Sequence, residues 1–188
     1  MIAVRFRIHV DSPLRIGAGL PSLIADDTVV RDADGQPIVP ATTLKGNVRA
    51  GAAAPDAGIS EDTLARTFGR PDGASGLALF GDAAPSAGQT PVVTAVTRVS
   101  LSDTRTARRG RLMTHEVVLP FAETVDGLQP LTFEGGVRVP SDPSVVRAVV
   151  VGLASVRALG AERSRGRGEV RVAIDPTTIE PLPVGGAG

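Results

Sequence analysis

The chain opens on a strict alternation of apolar and polar residues. Over residues 3–10 (AVRFRIHV) every second side chain is apolar, which predicts a strand with one buried face. Asp11-Ser12-Pro13 breaks this pattern, and the short apolar runs LRIGAG, PIVP and LALF follow among turn residues such as Asp34-Gly35. Longer β-rich stretches predict further strands at 92–101, 112–119, 130–139 and 169–174.

Three segments carry helical signals instead. Thr42 or Thr43 is predicted to cap a helix through LKGNVRAGAAA, which Pro55 stops. Ser60, followed by acidic residues, is predicted to cap a second helix that runs to Phe68. The apolar stripe in 144–159 predicts a third helix, which an Asp-Pro pair opens and the next glycine closes.

The order of these elements defines the expected fold class. A strand, a helix, several strands, a helix and a strand follow one another without regular βαβ alternation, which indicates an α+β sheet with a split-βαβ, ferredoxin-like core. The length of 188 residues suits one domain spanning 1–188. The basic segment between the two central strands is too long for a tight turn and predicts a protruding hairpin, whereas the Pro- and Gly-rich tail at 176–188 is predicted to fray.

The composition narrows the chemistry. The chain has no Cys and only two His, which excludes thiolate catalysis, disulfides and His-rich metal sites. Acidic and basic residues balance, but nineteen of the twenty cations are Arg, whose planar guanidinium suits phosphate and base contacts. No apolar run approaches the roughly 20 residues of a spanning helix and no targeting segment is visible, so we expect a cytoplasmic protein that does not bind membranes.

Two basic segments are candidates for binding a polyanion. In GAERSRGRGEVR, glycines at 160, 166 and 168 permit close backbone approach beside Arg163, Arg165 and Arg167. A solvated loop whose arginines pair with Glu162 and Glu169 is an equal alternative on the residues alone. In SDTRTARRGR the arginines either contact phosphates or only keep a loop soluble.

Two further patterns concern a helix start and a pair of carboxylates. Thr42, Thr43, Lys45 and Arg49 at a helix N-terminus form an anion-binding arrangement, although such residues more commonly cap a helix and form its solvated face. Adjacent aspartates at 26–27 could bind a divalent cation or orient a nucleophile, whereas loop aspartates commonly form turns or pair with Arg.

Taken together, the motifs resemble one family. DSPLRIGAG, VVRDADGQPIVPATTLKGNVR, TFG, GLALFGDA, RTA with a downstream HEVVLP, and LGAERSRGRGEV occur in the order found in the RAMP (repeat-associated mysterious protein) superfamily. Within it the sequence is most similar to the backbone subunits of type III CRISPR effector complexes, and the resemblance spans about residues 3–174.

The resemblance implies a modified RRM-like fold that polymerises along a guide RNA (crRNA) beside other effector subunits. Each copy of such a subunit holds a stretch of guide backbone, and a thumb-like hairpin, here about residues 102–112, wedges into the duplex of guide and target RNA. The glycine-rich loop corresponds to residues 160–168. The positions matched to RNA contacts are Arg15, Thr43, Lys45, Arg49, Thr104, Arg105, Arg108, Arg109, Arg163, Ser164, Arg165 and Arg167.

The resemblance also implies chemistry. Counting back from VVRD, Asp26 matches the aspartate that cleaves target RNA with a divalent metal, Mg²⁺ or Mn²⁺, and Asp27 is the second candidate. The expected reaction is a transesterification that leaves a cyclic phosphate and a 5′-OH. Arg15 stands where relatives often carry His, and Asp103 where an Arg commonly precedes the thumb threonine.

Three functional hypotheses follow. The first is an active guide-binding and target-cleaving subunit, and the second is a catalytically inactive RNA-binding backbone subunit. The third is a stand-alone guide-processing endonuclease, which ranks last because such enzymes use His, Tyr or Lys near the first helix, whereas this chain has no Tyr and His9 falls on a predicted strand.

Overall fold

The computed structural model describes residues 1–70, 73–101 and 107–175, which form two antiparallel sheets and three α-helices. The helices are α1 (Ala41–Ala52), α2 (Glu61–Phe68) and α3 (Pro143–Ser155). The strands are β1 (Ile2–Val10), β2 (Leu79–Phe80), β3 (Ala84–Pro85), β4 (Thr90–Leu101), β5 (Ala107–Thr124), β6 (Gly127–Pro130), β7 (Thr132–Val139) and β8 (Val170–Ile174). The predicted tail, 176–188, lies outside the described residues.

The larger sheet has the strand order of a ferredoxin-like core. Its strands run β2-β7-β1-β8, and β3 continues the edge beside β7. β1 is antiparallel to both β7 and β8, and α1 and α3 each connect an outer strand to the centre of the sheet. The predicted α+β, ferredoxin-like class is therefore confirmed.

The alternation in β1 works as the sequence predicts. Val4, Phe6, Ile8 and Val10 are buried in one cluster with apolar residues of α1 and α3, while the intervening side chains face away from it. Burial of four such side chains, at about 2 kcal/mol each, is the physical reason for the register of the central strand.

The long hairpin is a sheet of its own. β4 and β5 pair antiparallel from Thr90↔Glu123 to Leu101↔Ala107, and β6 pairs with the far end of β5. The expected protruding hairpin is therefore confirmed, but β5 begins at Ala107, so Arg108 and Arg109 lie on a strand rather than in a loop. Strand pairing, not local composition, extends the ladder to Leu101 and Ala107, and residues 102–106 of the predicted thumb lie outside the described residues.

The predicted caps of α1 are wrong. The helix begins at Ala41 after the extended residue Pro40, and neither threonine caps it. The amide of Ala41 donates instead to the Asp82 carboxylate at 2.7 Å, so a residue from a distant loop satisfies the first turn. By contrast, Ser60 caps α2 through the amide of Thr63, as predicted.

The predicted end of α3 is also wrong. The helix stops at Ser155, well before Gly160, and Val156 is extended. Beyond it the backbone pairs with the following loop, since the amide of Leu159 donates to Gly168 and that of Val170 donates to Arg157. These long-range hydrogen bonds replace those of another helical turn, and the β-branched residues at this end favour the extended form.

The start of α3 agrees with the prediction. Asp142 caps the helix, Pro143 occupies its first turn, and the carboxylate accepts hydrogen bonds from Ser144 and Arg66. The hydrogen bonds from Ser144 and Arg66 lower the pKa of Asp142 to about 2.

Among the described residues no helix is long and apolar enough to cross a membrane.

Close packing of α1 on α3 depends on Gly152. A Cβ at this position would lie 2.3 Å from the carbonyl oxygen of Val48, so the two helix backbones would have to separate. We expect Gly152→Ala to lower the free energy of unfolding by about 1–3 kcal/mol in urea titrations.

Gly46 provides the matched control for this change. It lies in α1 with open space around it, so Gly46→Ala should raise the free energy of unfolding by about 0.5–1 kcal/mol through helix propensity alone. Equal effects of the two substitutions would show that the helix contact is not tight.

Candidate functional site

A loop that contains both candidate aspartates is attached to the middle of β5 in the hairpin. Leu14 pairs with Val118 of β5, and Asp27 pairs with His115 in parallel orientation. The amide of Asp26 donates to the Thr114 carbonyl at 2.8 Å, and the Thr114 amide donates to the Asp26 carboxylate at 2.6 Å. The loop is therefore fixed along β5.

The two aspartates have different surroundings. Asp26 is exposed, its Oδ2 accepts from Thr114, and its Oδ1 has no hydrogen-bond donor among the described residues. The Asp27 carboxylate is 18% exposed, lies 2.8 Å from a guanidinium nitrogen of Arg15, and accepts the amide of Gly19 at 2.8 Å. Among the described residues, no side chain occupies Oδ1 of Asp26, whereas Asp27 holds the loop together through its own contacts.

The glycine-rich loop packs against the chain just before these aspartates. The amide of Ala161 donates to Arg15 at 2.8 Å, and that of Gly168 donates to Pro13 at 3.0 Å. Gly160 and Gly168 both have positive φ, and a Cβ there would lie 2.1 Å and 2.0 Å from backbone oxygens of Arg15 and Leu159. Only glycine fits at these two positions, because neighbouring backbone carbonyls approach too closely for a Cβ.

One carboxylate gathers the arginines around this loop. Glu162 is ion-paired with Arg98 of β4, with Arg15 at 3.6 Å, with Arg167 at 3.6 Å and with Arg165 at 3.9 Å. We call these five residues the Glu162 cluster. The cluster joins the hairpin, the aspartate-bearing loop and the glycine-rich loop. The ion pairs with Glu162 that the sequence analysis gives as an alternative to phosphate binding are present for Arg165 and Arg167.

The Glu162 cluster combines strain with an excess of positive charge. Glu162 has φ 69°, the only positive φ of a non-glycine residue among the described residues. Four guanidinium groups face Glu162 and Asp27, which leaves two positive charges uncompensated. Arg15 Nε, Arg167 Nη1 and Glu162 Oε2 are buried without a hydrogen-bond partner in the described part of the chain. An anion would therefore be attracted to this site.

Two arginines of the glycine-rich loop point outward. Arg165 is 68% exposed, so its long ion pair with Glu162 is weak. Arg163 is exposed and donates to the side chain of Asn47 on α1 at 3.0 Å, and Asn47 in turn donates to the Thr43 carbonyl at 2.8 Å. Asn47 thus links the loop to the helix.

The basic residues of α1 lie on the opposite flank from this contact. Thr43 and Asn47 share one side of the helix, and Lys45 and Arg49, about 200° around the axis, share the other. Arg49 donates to the Gly69 carbonyl at 3.2 Å, while half-buried Lys45 has no ion pair with a described residue. The structure therefore does not bring Lys45 to the glycine-rich loop.

Several expected RNA contacts fall where the structure is not described. Thr104 and Arg105 lie outside the described residues. Arg108 and Arg109 are on β5, and Ser164 is in a 3-10 turn, but their side chains are outside what the structure describes.

His115 is buried beside the Glu162 cluster. Burial, followed by the nearby charge of Arg15, lowers the pKa of His115 below its ordinary value. Its imidazole therefore stays neutral at pH 7, and folding opposes its protonation as pH falls through its ordinary pKa of about 6.5. His115 also pairs with Asp27 through the backbone, so it positions the loop.

Sequence reasoning missed two residues of this site, Arg98 and Asn47. Arg98 comes from a strand distant in sequence, and Asn47 sits inside the LKGNVR motif without a charge. The sequence indicates Glu162 only as an ion-pair partner for arginines of its own loop. The one available signal is that Glu162 directly precedes the arginine-rich segment RSRGRG, which Glu169 follows.

Few protein side chains at this site could bind a metal ion. No group of three His, Asp or Glu side chains among the described residues is arranged to hold an ion. Mg²⁺ commonly binds through one or two carboxylates, with water and substrate phosphates completing its shell. The outward Oδ1 of Asp26 fits that role as a single ligand.

The structure is an α+β domain with a long hairpin and a glycine-rich loop that carries arginines. This loop is hydrogen-bonded to the segment before Asp26, whose carboxylate is exposed. A family model of the RAMP superfamily matches residues 7–171. The chain belongs to the RAMP superfamily.

Solved structures show the same fold. A chain in the apo state of the type III-B Cmr-beta complex is 15% identical, with a TM-score of 0.69 over 95% of this chain and 99% of that one. A chain of type III-B Cmr-beta bound to cognate target RNA is also 15% identical, with a TM-score of 0.68 over 93% and 97%. No curated protein matches in sequence.

Proposed function

We propose that this protein is a crRNA-binding backbone subunit of a type III CRISPR ribonucleoprotein effector, which assembles as repeated copies along the guide and cleaves bound target RNA. The observation that carries the proposal is the family match over residues 7–171, together with end-to-end likeness to chains of a type III-B complex. The partners are the guide, the target RNA, further copies of the chain and other effector subunits.

The charged surface supports RNA binding. Together with Asp27, the Glu162 cluster has two positive charges in excess, and Arg163 and Arg165 are exposed. Arg15 and Arg167 would act mainly by keeping this surface positive, since both are already ion-paired inside the protein.

The exposed carboxylate of Asp26 supports cleavage. The ribose 2′-OH attacks the adjacent phosphorus, its proton passes to Asp26, and the P–O5′ bond breaks to leave a 2′,3′-cyclic phosphate and a 5′-oxygen that takes a proton from water. The Thr114 amide holds one carboxylate oxygen, so the other is oriented before RNA arrives. Asp27 orients the loop through Arg15 and Gly19.

A divalent cation would complete the site. Mg²⁺ or Mn²⁺ held beside Asp26 through a coordinated water, with Oδ1 left to take the proton, would supply positive charge to the pentavalent transition state. No other side chain of the described residues is assigned to it.

RNA co-purification tests the assembly directly. We expect the complex isolated with its natural partners to contain uniform short RNAs that share a repeat-derived tag, read by sequencing. Random cellular fragments would contradict guide binding, and an isolated protein that cleaves precursor RNA within the repeat would favour the processing endonuclease.

Phosphate contacts predict salt dependence. Lys45→Ala and Arg165→Ala should each weaken guide binding about uniformly across sequences and lower the slope of log K against log salt by roughly 0.7–1. The control is Arg138→Ala, an exposed β7 cation with no ion pair to a described residue, which should leave the slope unchanged. A slope that Lys45→Ala does not alter would remove Lys45 from the guide contact.

A further inference from the structure

One face of the larger sheet is open. The helices pack on the face that carries the buried residues of β1. The alternate residues point to the other face, where Arg5, Arg7, Glu134 and Ala173 are all exposed. No element in the described part of the chain therefore covers this side of the sheet, named here the open face.

The open face contains a depression of about 440 Å³, which is within the size range of binding sites. It exists because small residues stand directly opposite two arginines, Gly136 opposite Arg5 and Ala173 opposite Arg7. We call it the sheet depression, and the side chains that line it are Arg5, Arg7, Glu134, Ala173 and Asp175.

The charges around the sheet depression do not balance. Arg5, Arg7 and Arg138 lie on the open face with Glu134 and Asp175, so three cations face two acids and one positive charge is in excess. The ion pair of Arg7 with Glu134 at 2.9 Å is largely exposed and therefore weak. A ligand with one negative charge would complement this face.

The chain itself leaves the sheet at this depression. Asp175, where the described chain ends, lines it, and the Asp175 amide donates to the Arg5 carbonyl at 3.0 Å. Thirteen residues follow, 176–188, and Glu180 is their only charged side chain. The C-terminal segment thus has the single negative charge that the open face lacks.

The reach of this segment favours docking on its own chain. Glu180 is five residues beyond Asp175, so an extended backbone can place it as far as about 17 Å away. The depression spans three neighbouring strands, β8, β1 and β7, which is about 10 Å at the usual strand spacing. A short tether gives an effective concentration in the millimolar range, so the segment of the same chain outcompetes that of another copy in dilute solution.

We propose that residues 177–184 fold back over the open face and occupy the sheet depression of their own chain. The carboxylate of Glu180 lies between the guanidinium groups of Arg5 and Arg7. The docked segment crosses β1, ties the edge strand β8 to β7, and withholds the open face from other chains.

The prolines of the segment suit this docking. Three of the eight residues in 176–183 are proline, which favours the extended polyproline II conformation with three residues per turn. In that conformation Ile179 and Leu182 are on one side and cover the methyl group of Ala173. A backbone that is already extended loses less entropy when it binds.

The test traps the docked segment with a disulfide in the full-length chain, which has no cysteine of its own. Gly136→Cys places a thiol on the open face, where a Cβ meets nothing closer than 3.8 Å, and Leu182→Cys places one on the segment. In one control pair Val125→Cys, at the fully exposed turn after β5, replaces Gly136→Cys. In the other, Ala187→Cys replaces Leu182→Cys and measures what an undocked tether would reach.

The protein is oxidised mildly in dilute solution, and disulfides within one chain and between chains are separated by non-reducing electrophoresis and intact mass. Thermal unfolding in reductant checks that each variant is folded. We expect Gly136→Cys with Leu182→Cys to close an intramolecular disulfide at least about 10-fold faster than either control pair, because docking raises the effective concentration of the two thiols.

A charge exchange tests the ion pair within the docked state. Glu180→Arg should slow trapping of the Gly136→Cys and Leu182→Cys pair about 2- to 5-fold, the effect of one exposed ion pair. Arg7→Glu, added to Glu180→Arg, should restore the rate because the two charges are exchanged.

Two results would overturn the inference. Similar trapping rates for the test pair and the Ala187→Cys control, both unaffected by Glu180→Arg, would show that the segment is a free tether and leaves the open face uncovered. Disulfides that form only between two chains would show that a second copy supplies the segment. Neither result bears on guide binding or cleavage, so the proposed function is tested separately.

Discussion

We expect Asp26→Asn to reduce single-turnover cleavage of target RNA by at least about 100-fold in the assembled complex, because general-base catalysis contributes about 100- to 10,000-fold. The asparagine side chain keeps an oxygen for the Thr114 amide but cannot take the proton of the 2′-OH. Guide loading, copy number and target binding should not change, since no described residue depends on the charge of Asp26.

Two matched variants separate catalysis from loop structure. Asp34→Asn changes an exposed turn residue whose carboxylate has no partner among the described residues, and it should cleave like wild type. Asp27→Asn removes the ion pair with Arg15 and should lower thermal stability as well as cleavage. Full cleavage by Asp26→Asn would overturn the assignment. A wild-type complex that binds but does not cut would establish the inactive backbone subunit.

The second large effect is expected at Glu162. Glu162→Gln removes the charge that holds four arginines, three of which have side chains only 16–24% exposed. Breaking a buried ion pair costs about 3–5 kcal/mol, and partial exposure places this case near the lower value. We expect a loss of about 3 kcal/mol, or roughly 6–12 °C in Tm for a chain of this length.

Comparison variants identify the cause of this loss. Glu162→Gly also removes the carboxylate but relieves the positive φ, so it should be about 1 kcal/mol less destabilising than Glu162→Gln. Short RNA or heparin should restore the Tm of Glu162→Gln more than that of wild type, because phosphate or sulfate groups replace the missing charge. A Tm within 1–2 °C of wild type would show that the arginines relax into solvent at little cost.

Local patterns predicted much of the fold. The alternation in β1, the Ser60 cap and the Asp-Pro start of α3 all depend on neighbours within four residues, and the structure confirms them. The strand order follows from the sequence of elements, since few topologies accommodate two helices on one face. The order of the motifs similarly predicted the family that the comparison confirms.

Errors arose where a distant residue replaced a local partner. Asp82 takes the place that a threonine cap would fill on α1, and the pairing of Leu159 with Gly168 ends α3 early. In both cases a partner beyond the next helical turn, 41 residues away for Ala41 and nine for Leu159, satisfies a backbone group that local propensity alone does not address.

The sequence by itself determined the sheet, the family and the list of cations and carboxylates. Only the tertiary structure decided their roles: Asp26 is exposed while Asp27 is ion-paired, Glu162 gathers arginines from three segments, and Lys45 lies on a different flank of α1 from Asn47. The physical reason is that periodicity reports contacts between near neighbours along one element, whereas the charge state and exposure of a site depend on which distant elements the hydrophobic core brings together.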